Sequence, residues 1–261
     1  MKCKICKSTS SKLFKLKVLN KYSVAYYQCP NCDFIQTEKP FWLKEAYQNP
    51  INICDTGIVT RNVNLAKKTA LFLKLFRNHK ANFLDYAGGY GLFTRLMRDV
   101  GFDFYWNDPY TKSLFSIGFE GDSGDNYEAI TAFELFEHLD NPLKEIETLI
   151  TNTDTLIFST LLTDTIKSAE LKRWWYLGPQ HGQHISFYSK KTLSNIALKL
   201  DINLITNNKN YHIFTKKKTS QWAIRLVEVL TKLDIGLLNK YLINKRSLTF
   251  KDHKKLIDHH L

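Results

Sequence analysis

A chain of 261 residues with 44% apolar residues is long enough to bury a core, and 24% charged residues is ordinary for a globular protein. No apolar run approaches the roughly 18 residues of a membrane span, so the composition excludes a spanning helix. With 37 Lys and Arg against 25 Asp and Glu, the formal charge of +12 suits nucleotide sugars, phosphorylated glycans, acidic membrane surfaces or nucleic acid. The alternative is a lysine-rich surface with no partner.

The chain begins Met1-Lys2-Cys3-Lys4-Ile5-Cys6, without the apolar segment of a secretory leader, which predicts a cytoplasmic protein. Its five cysteines then point to metal rather than disulfides. Cys3 and Cys6 form one Cys-x-x-Cys pair, and Cys29-Pro30-Asn31-Cys32 forms a second. Each pair sets two thiolates on one tight turn, and two such turns can close a tetrahedron around zinc. Between them Phe14, Leu16 and Val18, then Val24 and Tyr26, alternate with other residues, which predicts a hairpin. A redox pair would sit in a strand–helix–strand pattern, which is absent here. Four thiolates leave zinc no open position, so its role is structural. Cys54 stands alone and reads as a buried apolar residue.

Residues 58–77 carry Val63, Ala66, Ala70 and Leu73 at helical spacing. Residues 82–86 read as a strand, 87–91 as a glycine-rich turn and 92–100 as a helix. That order opens a nucleotide-binding α/β unit, in which glycines let the backbone approach a ligand. A second strand over 101–108 ends in Asp108, a candidate for ribose hydroxyls, while Asp85 is placed to orient the glycine loop. The alternative for either acid is a turn residue or helix cap. Further strands are expected near 115–119, then at 127–133, 155–159, 202–206 and 211–215. A helix is expected over 143–150, with Pro142 in its first turn. Alternating strands and helices imply a Rossmann-like α/β fold, a parallel sheet wrapped by helices. The expected organisation is a zinc ribbon over 1–44, the α/β domain with a helical lead-in over 45–215, and a helical extension over 216–261.

Two segments carry chemistry. Glu134, Glu137 and His138 share one face if a helical turn forms, and could accept a proton or hold a divalent cation. The alternative is that Glu137 and His138 brace a loop. Residues 174–189 combine aromatics, a Gly-Pro turn and two histidines. His184 is the candidate base for a hydroxyl proton, and Trp174 and Trp175 read as packed loop residues.

With these motifs in place, residues 45–212 resemble bacterial class I methyltransferases of glycan and capsule biosynthesis. The matching stretches are 54–62, 84–91, Asn107-Asp108-Pro109-Tyr110, 131–142 and 182–189. The family's acid-x-G-x-G-x-G turn stands here as Asp85-x-Ala87-x-Gly89-x-Gly91, with alanine at the first glycine. The resemblance implies S-adenosylmethionine as cofactor, held by Asp85, Ala87, Gly89, Gly91, Asp108 and Glu134. It implies His184, Glu137 and His138 as catalytic residues acting on a sugar or nucleotide-sugar hydroxyl. The zinc-binding head is similar to that of sugar C-methyltransferases, although this chain lacks room for their extra domain. The Glu134, Glu137, His138 cluster is similar to that of metal-dependent O-methyltransferases, where His181 or His184 would supply a last ligand to a divalent ion. Arg61 could meet the cofactor carboxylate or lie on the surface.

Beyond Lys216, Trp222, Leu226, Val229, Leu230 and Leu233, then Leu237, Leu238, Tyr241 and Leu242, follow helical spacing among basic residues. This predicts helices packed on the core or a second subunit, or an amphipathic membrane contact. The polar stretch 251–261 is expected to fray. Two rivals stand beside sugar methylation. An RNA methyltransferase fits the ribbon and the charge, but this sequence lacks the Asn/Asp-Pro-Pro-Tyr/Phe motif that many amino-group methylases of bases carry after the fourth strand. A non-catalytic binding module fits less well with Asp85, Gly89, Gly91 and Asp108 all present.

Overall fold

The computed structural model describes residues 1–48, 55–233 and 243–260. In chain order its strands are β1 (Ser11–Val18), β2 (Tyr22–Gln28), β3 (Ile35–Thr37), β4 (Asn82–Tyr86), β5 (Asp103–Asn107), β6 (Ala129–Ala132), β7 (Thr155–Ser159), β8 (Ser186–Phe187), β9 (Asn203–Thr206) and β10 (Tyr211–Thr215). Its helices are α1 (Leu43–Ala46), α2 (Ile58–Phe76), α3 (Leu92–Asp99), α4 (Pro142–Thr151), α5 (Lys190–Lys199), α6 (Trp222–Lys232) and α7 (Thr249–His260). The expectation for Cys54, and that for Leu237, Leu238, Tyr241 and Leu242, lie outside the described residues. None of the described helices is long and apolar enough to cross a membrane.

The strands form two sheets, in the orders β1-β2-β3-β8 and β5-β4-β6-β7-β10-β9. In the larger sheet β4 pairs in parallel with β5 and β6, and β10 runs antiparallel to β9. The chain divides into two compact units, neither of them a single sequential block. The first comprises Met1–Asn52, Phe133–Thr151 and Phe158–Lys216; the second comprises Ile53–Ala132, Asn152–Ile157 and Lys217–Leu261.

In the first unit the β1–β2 hairpin shares one core with later chain. Val24, Tyr26 and Ile35 pack with Trp174, Tyr176, Ile185 and Phe187. Strand β3 pairs antiparallel with β8, Ile35 against Phe187. A segment of some 40 residues has too little apolar surface to bury a core of its own. Trp174 is packed as expected, but Trp175 is 74% exposed, against its reading as a packed residue.

In the second unit β4 is lined by Phe83 and Leu84, and Phe83 stacks on Phe104 of β5 with ring centroids 5.1 Å apart. The strand expected at 115–119 does not form. Gly118 at φ +82° and the turn held by the Ser116 N–H on the Ser113 hydroxyl break the extended run. Only a parallel bridge, Trp106 with Glu120, remains at that edge.

Two expectations about the tail are refined. Helix α6 packs against α2 as expected, with Trp222 edge-on to Phe76 at 5.6 Å, but its most buried residues are Ala223, Ile224 and Val227; of the predicted stripe Leu226 and Leu230 are half-buried, and Trp222, Val229 and Leu233 stay more than half exposed. The terminus expected to fray is helix α7, pinned by Asp252. Its carboxylate takes Arg98 through Nε and Nη2, both at 2.8 Å, and Arg95 Nη2 at 2.8 Å. Arg98 also donates to the Phe104 carbonyl and lies 3.9 Å above the Phe119 ring. Buried, bidentate pairing of this kind holds a helix that its own polar sequence would not.

Candidate functional site

Three arrangements stand out: a glycine cradle in the second unit, and a histidine cluster and a cysteine cluster in the first.

The cradle grows from the end of β4. Asp85 is only 2% exposed, so it acts on the loop from beneath. It accepts the Thr131 hydroxyl at 2.9 Å and the Thr94 hydroxyl at 3.1 Å. Burial, reinforced by the Asp108 charge, raises its pKa to about 7 against the pull of those two hydroxyls. Gly88 is the position sterics demand. A Cβ there would lie 2.6 Å from Asp85 Oδ2 and 2.8 Å from the Trp106 ring. Ala87 and Gly89 both adopt left-handed backbone, φ +56° and +55°. For alanine that conformation costs about 1 kcal/mol, which is why glycine is the usual occupant. Gly91, at φ +82°, leads into α3, and a Cβ on it would meet Ser113 Oγ at 2.6 Å.

Asp108 follows β5 and reaches back to the loop. Its Oδ2 accepts the Gly89 N–H at 2.9 Å, and Oδ1 accepts the N–H groups of Tyr110 and Thr111 at 2.8 and 3.0 Å. A carboxylate has about four acceptor sites, so these leave room for a ribose hydroxyl. Trp106 Nε1 and the Thr111 hydroxyl both donate to the Gly89 carbonyl, at 2.9 and 2.7 Å. The loop is therefore preorganised from below and from its far side. Arg61 is engaged by Asp55, at 2.5 and 3.0 Å.

The histidine cluster is assembled by strapping residues 185–188 to the turn at Phe136–His138. The Ile185 N–H donates to the Glu137 carbonyl at 2.8 Å, the Ser186 hydroxyl to the Leu139 carbonyl at 2.6 Å, and the Tyr188 hydroxyl to the Phe136 carbonyl at 2.8 Å. These bonds bring the His138 and His184 rings to 4.9 Å and leave Glu137 fully buried beside them. Ligand atoms of Glu137, His138 and His184 all lie within 4.8 Å of one another. Glu134 does not join them. It precedes the turn in left-handed backbone, φ +52°, and its carboxylate accepts the Ser159 hydroxyl at 2.6 Å while its own N–H donates to Ser159 Oγ. The expected Glu134, Glu137, His138 group is thus replaced by Glu137, His138 and His184.

Two tyrosines that the sequence did not single out orient the rings. Tyr47 Oη lies 2.9 Å from His138 Nδ1. His184 Nδ1 lies 2.6 Å from the Tyr176 carbonyl, which can only accept. Nδ1 therefore carries the proton, and in the neutral ring Nε2 is the acceptor. Burial, then the neighbouring His184 and His181, hold His138 well below the usual imidazole range. Burial and His184 bring His181 down to about 4.

The four cysteines Cys3, Cys6, Cys29 and Cys32 lie with their sulfurs within 4.8 Å of one another. Cys3 to Cys32 is 3.5 Å and Cys6 to Cys29 is 3.4 Å, far beyond a disulfide. A tetrahedral zinc with Zn–S bonds of about 2.3 Å has sulfur edges of about 3.8 Å, so the set fits. The two turns are built alike. The Lys7 N–H donates to the Cys3 carbonyl at 3.0 Å, and the Asp33 N–H to the Cys29 carbonyl at 2.9 Å. Lys7 and Asp33, each just after the second cysteine of its pair, both have left-handed backbone. The Thr192 hydroxyl of α5 ties in the second turn by donating to the Cys32 carbonyl at 2.7 Å.

A family model described as a methyltransferase domain matches residues 60–207. No curated protein sequence matches the chain. Among solved structures, an O-methyltransferase family protein from Burkholderia thailandensis is 12% identical with a TM-score of 0.46, over 62% of this chain and 57% of that one. The magnesium protoporphyrin IX methyltransferase of Synechocystis PCC 6803, solved with bound S-adenosylhomocysteine, is 14% identical with a TM-score of 0.44, over 66% of this chain and 90% of that one. Mitomycin 7-O-methyltransferase is 12% identical with a TM-score of 0.41, over 67% of this chain and 60% of that one. The chain thus spans less than two thirds of the Burkholderia and mitomycin proteins.

Proposed function

The chain belongs to the methyltransferase-domain family; on that premise we propose that it is an S-adenosylmethionine-dependent methyltransferase and that it methylates a sugar hydroxyl during the synthesis of a surface polysaccharide. The cofactor supplies an electrophilic methyl group. The glycine cradle, with Gly88 and Gly89 closing in, would hold it, and Asp108 would take a ribose hydroxyl. What remains for the protein is to align the acceptor oxygen and remove its proton.

The observation that carries this reading is the fixed tautomer of His184. A ring whose Nδ1–H is bound to a backbone carbonyl presents Nε2 as a proton acceptor. Beside it, Trp175 offers an exposed indole, its ring 5.5 Å from that of Tyr176, which in turn is 4.7 Å from His184. An open aromatic face near a base suits a sugar ring. A second reading is favoured by the convergence of Glu137, His138 and His184, two imidazoles and a carboxylate, which is a donor set for a divalent cation. The four cysteines would hold a structural zinc, which would tie the turn before β1 to the turn after β2.

The test is transfer of labelled methyl from S-adenosylmethionine to a panel of nucleotide sugars, glycans and RNA, with and without added magnesium. Transfer to a sugar hydroxyl is expected. Transfer to RNA alone would overturn the sugar reading. Dependence on magnesium with the zinc retained would assign the cation to the histidine cluster.

A further inference from the structure

The segment after Asp108 has a surface that a freely dissolved enzyme does not need. Within eight residues Tyr110 is 83% exposed, Leu114 62%, Phe115 51% and Ile117 59%. Contiguous exposed apolar side chains at this density mark an interaction surface. The exposure is built in. The N–H groups of Leu114 and Phe115 both donate to the Tyr90 carbonyl, Ser116 donates to the Gly91 carbonyl, and Ser113 and Ser116 point inward. The backbone is thereby held with its polar groups turned toward the glycine loop and its apolar side chains outward.

Helix α7 lies against the same segment. A Cβ on Gly118 would meet Leu256 at 2.4 Å, Lys255 Nζ donates to the Gly118 carbonyl at 3.3 Å, and that ammonium sits 4.8 Å from the Phe119 ring. The helix exposes Lys251, Lys254 and Lys255, together with Phe250, which is 75% exposed, and Ile257. Lys112 adds a cation within the loop. Asp258 is the one exposed acid in the helix among the described residues, since Asp252 is buried against Arg95 and Arg98.

From this juxtaposition of an outward apolar loop and a lysine-bearing helix, we propose that the second unit docks on a lipid bilayer rich in anionic headgroups, with residues 114–117 entering the interface. Charge complementarity selects that occupant: the chain carries +12, and the loop and helix expose four lysines, Lys112, Lys251, Lys254 and Lys255, against the two exposed acids Glu120 and Asp258. Each lysine near an anionic surface strengthens binding about fivefold, and the apolar side chains add a part that salt does not screen. Because the same loop holds Asp108 by the N–H groups of Tyr110 and Thr111, docking brings the cofactor cradle to the lipid surface. The acceptor is then a glycan carried on a lipid, which rests on the methyltransferase reading above.

The test is flotation of the full zinc-loaded chain with vesicles of neutral phosphatidylcholine or of phosphatidylcholine with one third phosphatidylglycerol. It is run on wild type, on Leu114→Ser/Phe115→Ser/Ile117→Ser and on Lys251→Glu/Lys254→Glu. S-adenosylmethionine binding is measured on every sample. Binding to the anionic vesicles, weakened at least tenfold in both variants while cofactor binding persists, is the expected result. Three results overturn the proposal: no binding of wild type at low salt, binding that the loop variant leaves unchanged, or a loop variant that abolishes a dimer instead. Cofactor binding without vesicle binding rejects the membrane surface alone. A folded wild type that binds no cofactor rejects the methyltransferase reading.

Discussion

Replacing Cys32 by serine is expected to remove bound zinc from the chain and unfold the first unit. Wild type should carry one zinc per chain by elemental analysis, and the variant none. A structural zinc contributes on the order of 10–16 kcal/mol to the folded state, comparable to the whole stability of a typical domain, about 5–15 kcal/mol. The effect should spread because the ribbon has no private core: Val24, Tyr26 and Ile35 pack with Trp174, Tyr176, Ile185 and Phe187. Hydrogen exchange should therefore show protection lost over residues 171–187 as well as over the hairpin. Loss confined to residues 1–32 would show that the ribbon is dispensable to the unit. A melting curve identical to wild type in a zinc-free variant would remove the metal assignment.

The second large effect is catalytic. His184→Ala should lower the methyl-transfer rate by about 10²–10⁴-fold, the range removed with a general base. Cofactor affinity should stay within error, since the residues of the cradle lie elsewhere in the chain. The control is Tyr47→Phe, which removes a hydroxyl from His138 Nδ1 while leaving the His184 tautomer to the Tyr176 carbonyl. A smaller loss there than in His184→Ala would place the base at His184. Equal losses in both would instead favour a cation held jointly by His138 and His184. A His184→Ala enzyme with full activity would leave the cluster a structural strap.

Much of this was legible in the residues themselves. Cys-x-x-Cys pairs act locally, so their turns, the hairpin between them and the four-sulfur cluster all follow from spacing. The unit β4, glycine turn, α3 is likewise local, and Asn82–Tyr86 forms the strand its pattern predicts. What the sequence concealed is set by partners far along the chain. Asp252 turns a polar tail into a docked helix because Arg98 is 154 residues away. Glu134 leaves the cluster because Ser159, on another strand, claims its carboxylate. Tyr47 and Tyr176 carry no motif, and they reach the histidines only once the first unit folds. Gly88 is the instructive case. The pattern draws attention to Ala87, Gly89 and Gly91, whereas the packing of Asp85 and Trp106 leaves the unremarked Gly88 as little side-chain space as Gly91 has against Ser113.

The central claim is that the cradle formed by Gly88, Gly89 and Asp108 binds S-adenosylmethionine. Titration calorimetry on the zinc-loaded wild type and on Asp108→Ala tests it most directly. Micromolar-range binding by wild type, lost in a variant that melts at a similar temperature, is the predicted result. A folded, zinc-loaded wild type that binds no cofactor would contradict it.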